Sequence, residues 1–102
     1  MQEIDAAQLE QMLQDGAQLV DVREPGEYAE AHVPEARLVP MGQLPSRLGE
    51  LDKTAPVHLI CASGNRSSAM GDVLAVAGFD VVNVAGGTQG WISSGRPVES
   101  GL

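Results

Sequence analysis

The sequence predicts an α/β fold with a mainly parallel sheet, and three observations carry that prediction. Short apolar runs, β-branched in part, recur at Leu19-Val20-Asp21-Val22, Val57-His58-Leu59-Ile60 and Val81-Val82-Asn83-Val84. Segments with helical spacing or helix-cap signals alternate with them. Each run ends in charged, small or glycine residues, as a strand entering a turn does. With 102 residues, 43% of them hydrophobic, the chain has material for one modest core, so residues 1–102 are expected to form a single domain.

Taken in order, Asp5 and Gln8 have the spacing of an N-cap pair, Leu9, Met12 and Leu13 have helical spacing, and Gly16 is a stop signal; a helix over 6–15 follows. Leu19 to Val22 is a buried strand running into a charged edge. Pro25 suits the first turn of a short helix through Tyr28. Pro34 and Pro40 bracket Leu38-Val39, which leaves room for a short strand at most. Leu44, Leu48 and Leu51 have the i, i+4, i+7 spacing of one apolar face and predict a helical segment beginning near Pro45. Val57 to Ile60 is the clearest strand and Ser67 to Ala77, closed by Gly78, the clearest helix, with Cys61 to Arg66 as the turn between them. Val81 to Val84 is another strand and Gly86-Gly87 a turn. Thr88 is a candidate N-cap for a short helix carrying Trp91 and Ile92.

Six basic residues against fourteen acidic ones give a formal charge of -8, whose field opposes nucleic acid and anionic membrane surfaces as partners. The same field slows a small anionic substrate, so an anion site must be built locally from backbone N–H groups and a nearby arginine. No run of about 18 apolar residues exists to span a bilayer, and MQEIDAAQLEQ lacks the basic start and apolar middle of a secretory signal. A cytoplasmic location is the expectation. The single cysteine cannot close an intramolecular disulfide, which also suits a reducing compartment. Two histidines and one cysteine, far apart, have no metal-ligand spacing, so no metal is expected.

The stretch LICASGNRSSAM, residues 59–70, places that cysteine, Cys61, between a strand and a helix. In open α/β sheets ligands collect at the carboxyl ends of strands, where loop N–H groups and the helix start converge. A free cysteine is often a small buried apolar residue. Here Ala62, Ser63, Gly64 and Asn65 are small or turn-forming, and Gly64 admits a positive φ; a helix opens directly afterwards. With Arg66 five residues on, the thiol is expected to be shifted toward thiolate, the form that acts as a nucleophile.

These residues carry a resemblance. CASGNRS resembles the active-site loop of the rhodanese family of single-domain sulfurtransferases, whose frequent pattern is Cys-x-x-Gly-x-Arg-Ser. LVDVREPGEY (19–28) and AHVPEARLVP (31–40) are similar to the family's first strand and turn and to its histidine-bearing segment. AGFDVVNVAGGTQGW (77–91) with GRPV (95–98) is similar to its closing segment, and the likeness spans about residues 4–98. The resemblance implies a three-layer domain of about five mainly parallel strands flanked by helices. It also implies a double displacement without a cofactor: Cys61 takes sulfane sulfur from a donor such as thiosulfate, becomes a persulfide, and passes the outer sulfur to cyanide or a cellular thiol. Loop N–H groups from Ala62, Ser63, Gly64, Asn65, Arg66 and Ser67 would hold the thiolate and the persulfide anion. No resolving cysteine exists, so discharge goes to an external small molecule or a protein persulfide acceptor. The family often has glycine where this chain has Ala31 and Glu35. Those turns are expected to differ locally, with Glu35 adding negative charge near the site.

Arg66 is expected either to touch the donor or to hold the loop by pairing with Asp21 or Glu24. Arg23 is expected in a structural ion pair more than on substrate; His32 in a turn, His58 within a strand and Trp91 in a packed turn read as structural. A cysteine-dependent phosphatase or arsenate reductase is the enzymatic rival, but such loops place five residues between cysteine and arginine, whereas four separate Cys61 from Arg66. A persulfide carrier fed by proteins would have this same loop. An inactive rhodanese-like binding or regulatory module would commonly lack the loop cysteine, which this chain retains.

Overall fold

Val57–Ile60 and Val81–Val84 are buried along their whole length, as strands covered on both faces must be, and they lie inside the sheet. The computed structural model describes residues 1–102. Five strands, β1 (Gln2–Ile4), β2 (Gln18–Asp21), β3 (Ala36–Leu38), β4 (Val57–Ile60) and β5 (Val81–Val84), pair in the order β1-β5-β4-β2-β3. All four pairings are parallel. Four helices, α1 (Ala6–Gln14), α2 (Pro25–Glu30), α3 (Asn65–Val76) and α4 (Gly87–Ser93), cover the two faces.

Side-chain alternation along the strands sorts the core into two halves. Val57, Leu59 and Val81 pack with Met70 and Leu74 of α3 and with Leu44 and Leu51 on one face. Ile60, Val82 and Val84 pack with Leu9 and Leu13 of α1, Tyr28 and Trp91 on the other. Fully buried leucines such as Leu9 and Leu74 each contribute about 1.5–3 kcal/mol of hydrophobic stabilisation. The architecture is the three-layer α/β arrangement expected.

The Asp5–Gln8 pair closes a capping box at 2.9 Å in both directions, and Pro25 opens α2 as its position in the sequence suggests. One strand is added to those expected and three expectations are corrected. The edge strand β1 has no signature in the sequence because only Ile4 of its residues enters the core; its backbone pairing with β5 holds it. The segment after Pro40 forms two 3-10 turns, Leu44–Ser46 and Leu48–Glu50, in place of a helix. Its leucine spacing still serves burial, since Leu44 and Leu51 are buried and Leu48 packs on them. Helix α3 starts at Asn65, two residues before the expected Ser67, since Gly64 at φ +105° turns the chain straight into it. Gly86, not Thr88, precedes the first turn of α4.

Candidate active site

Cys61 leaves the carboxyl end of β4, and the loop that follows curls around its sulfur. The Gly64 N–H donates to Sγ at 3.0 Å and the Ser67 hydroxyl lies 3.4 Å away. The thiol forms the floor of this cradle and is 1% exposed. Burial pushes it up, but the Ser67 hydroxyl and the N–H groups of Ser67, Gly64 and Ser63 outweigh burial and leave it below its ordinary value. The structure therefore brings Cys61, Ser63, Gly64 and Ser67 to one point. Ala62 is half-buried and Asn65 opens α3.

Arg66 is paired with α2 and makes no hydrogen bond to the sulfur. Its two terminal nitrogens donate to the two Glu27 oxygens at 2.7 and 2.8 Å. This fork holds the Glu27 carboxyl down at about 2 and strengthens the arginine's hold on its own proton. The partner is thus Glu27 of α2, not Asp21 or Glu24. Asp21 is engaged by Arg23, through Nε at 3.0 Å and Nη2 at 2.8 Å, and Arg23 also donates to the Ala31 carbonyl at 2.8 Å. Both are buried, so this pair ties the end of β2 to the segment after α2. Glu24 is exposed, and its N–H donates to Glu27 Oε1 at 3.1 Å.

Behind the loop, the first turn of α4 grips the cysteine backbone. The Thr88 N–H donates to the Cys61 carbonyl at 2.8 Å and the Gln89 N–H to that of Ala62 at 3.0 Å. Gly87 makes this approach possible: at φ +56°, a Cβ there would collide with the Cys61 carbonyl oxygen. In the sequence, Gly86-Gly87 signals only a turn. Asn83 of β5 reads there only as a strand residue, yet its side chain meets the Ser67 hydroxyl at 2.5 Å. Neither contact has a local sequence signal, because each joins segments distant along the chain.

The remaining candidates lie off the loop. His32 is buried, stacked on Tyr28 at 3.6 Å with Nδ1 2.8 Å from the Tyr28 carbonyl. His58 is buried within β4, where desolvation lowers its pKa. Trp91 is packed and donates to the Pro97 carbonyl at 2.7 Å. Glu35 lines a groove with Glu10, Trp91 and Pro97, so the negative charge expected from it near the site is placed elsewhere. Beside the loop a hollow of about 220 Å³ is lined by Arg23, Glu27, Glu30, Ala62, Thr88 and Ile92. A larger one, about 320 Å³, lies by the amino ends of β2 and β4, away from Cys61.

A parallel sheet that presents one cysteine in a ring of N–H groups defines the class: an α/β domain with a cradled thiol at the carboxyl ends of its strands. Residues 5–94 match the Rhodanese-like domain family, and the chain belongs to it. It is 37% identical over 99 residues to a sulfurtransferase of Allochromatium vinosum, covering 94% of this chain and 92% of that one. It is 32% identical over 93 residues to the thiosulfate sulfurtransferase GlpE of Pseudomonas paraeruginosa, covering 90% and 84%. Among solved structures, a rhodanese-related protein from Thermoplasma volcanium superposes with a TM-score of 0.89 at 34% identity, covering 96% of this chain and 97% of that one. The family and its relatives point to sulfur transfer or sulfur carriage in general. No helix is long and apolar enough to cross a membrane.

Proposed function

We propose that the protein moves a sulfane sulfur through a persulfide on Cys61. The Cys61 thiolate attacks the outer sulfur of a donor such as thiosulfate. The donor's S–S bond breaks, sulfite leaves with the bonding pair, and Cys61 keeps one added sulfur as a persulfide. A thiolate or cyanide then attacks that outer sulfur and returns Cys61 to thiolate. The observation that carries this reading is the cradle itself, with the Gly64 N–H at 3.0 Å from Sγ and the thiol pulled below its ordinary value. Fixed N–H dipoles stabilise an anion at that position through both half-reactions without reorganising. The relative named thiosulfate sulfurtransferase supports thiosulfate as a donor. A protein donor or acceptor, making the domain a persulfide carrier, uses the same two steps.

Intact-protein mass spectrometry after brief incubation with thiosulfate tests the reading. A gain of one sulfur in the wild type, absent in Cys61→Ser and lost on adding cyanide, is expected. Cys61→Ser keeps the fold because the hydroxyl is nearly isosteric, but it is a poor nucleophile here. Sulfur retained by the serine variant overturns the assignment of Cys61. No adduct from thiosulfate, with one formed from a persulfide-loaded protein, moves the reading to the carrier.

A further inference from the structure

Ser67 has one hydroxyl proton and three acceptors around it: Asn83 Oδ1 at 2.5 Å, the Gly64 carbonyl at 3.2 Å and Cys61 Sγ at 3.4 Å. The shortest contact has the strongest hold on the proton. The Asn83 amide, 1% exposed, is oriented from its other end. Its Nδ2 faces two groups that only accept, the Glu3 carboxylate at 2.9 Å and the Gly64 carbonyl at 3.3 Å. Oδ1 must then face Ser67, and the Ser67 hydroxyl must donate to it. Glu3 reaches Asn83 because β1 and β5 set the two residues in register and turn both side chains to the face that carries α3.

We propose that Asn83, clamped by Glu3, is a positioning residue that controls the ionisation of Cys61 by competing for the Ser67 proton. While that proton points at Asn83, the Ser67 oxygen offers a lone pair to Cys61 and accepts from the protonated thiol. When the thiolate forms, the hydroxyl must swing to Sγ and leave Oδ1 without a partner in a buried place, which opposes ionisation. Asn83 thus holds back part of the acidity that the Ser67 hydroxyl, together with the loop N–H groups, confers on the thiol. The other charged groups around the loop are Arg66 of α3 with Glu27 of α2, and the buried pair of Asp21 in β2 with Arg23 just after it; none bonds to Ser67 or Asn83. The relay's role in turnover rests on the sulfurtransferase reading, while its effect on the thiol does not.

The test is the ultraviolet absorbance of the Cys61 thiolate against pH in wild type, Asn83→Leu, Ser67→Ala and the double variant. Asn83→Leu is expected to lower the thiol pKa by about one pH unit, the size of one hydrogen bond released to Sγ. Ser67→Ala raises it, and Asn83→Leu has no effect once Ser67 is gone. Should leucine disturb folding, Glu3→Ala on the surface gives a smaller fall; the part due to lost charge persists without Ser67, and the part due to the relay vanishes. A rise or no change in folded Asn83→Leu, or an equal fall in both backgrounds, overturns the proposal. Thiosulfate loading of the same proteins separates the two ideas. A wild type that gains no sulfur but shows the titration pattern loses the function and keeps the relay, and the reverse result removes the relay alone.

Discussion

Arg66 and Glu27 show how an arginine beside a cradled thiol can act through a carboxylate partner. Their side chains are 35% and 37% exposed, and the forked pair bolts the start of α3 to α2, which keeps the loop closed over the thiol. Solvent screening limits its worth to about 1 kcal/mol, despite the ideal geometry. Glu27 ionises at about 2 in the folded protein against 4.5 ordinarily, so its stabilisation is complete above pH 4.5 and disappears as pH falls toward 2. Urea unfolding should therefore show Glu27→Gln less stable than wild type at neutral pH, with the gap closing between pH 4.5 and 2. A gap that persists undiminished at the acid end of that range would remove the ion pair as its cause.

At the scale of elements, the start of α4 decides whether the cysteine loop has a back wall. Gly86 and Gly87 have φ of +79° and +56°, two successive values that L side chains resist. Gly87→Ala adds a collision with the Cys61 carbonyl to that strain, and we expect it to cost about 2–4 kcal/mol. Denaturant midpoints measure this, and a variant as stable as wild type with normal sulfur loading would show that the wall is dispensable. The same turn explains what the sequence revealed and what it withheld. Thr88 has the right residue type for a cap, but the paired left-handed turn makes Gly86 the cap and Gly87 the first helical residue, so Thr88 lies inside the first turn, where its N–H donates to the Cys61 carbonyl. Strands β2, β4 and β5 were legible because their apolar runs are covered on both faces. Strand β1 was not, since its first two residues are polar and exposed and its place depends on pairing with β5. Cys61 stood out from its own neighbours in sequence. The partners of Arg66 and Ser67 did not, because Glu27 and Asn83 reach them from 39 and 16 residues away.

At the scale of the whole molecule, the charge of -8 acts on an anionic donor before the cradle can. The six basic side chains are all engaged: Arg23 with Asp21, Arg37 and Arg47 with Glu50, Arg66 with Glu27, Arg96 with Glu10, and Lys53 over the Phe79 ring. The hollow beside the loop has Glu27 and Glu30 on its rim, and its one cation, Arg23, is buried against Asp21. A thiosulfate dianion therefore approaches against the field and gains attraction only on reaching the loop N–H groups. Salt shortens that repulsion to about 8 Å at 0.15 M, while the short-range cradle is little affected. Sulfur loading from thiosulfate should accordingly quicken severalfold between about 0.01 and 0.15 M salt, whereas loading from a zwitterionic persulfide should hardly change. Stopped-time mass spectrometry across a salt series reads both. Thiosulfate loading that slows with salt would mean that the entrance attracts anions, and that one of the guanidinium groups leaves its carboxylate to meet the donor.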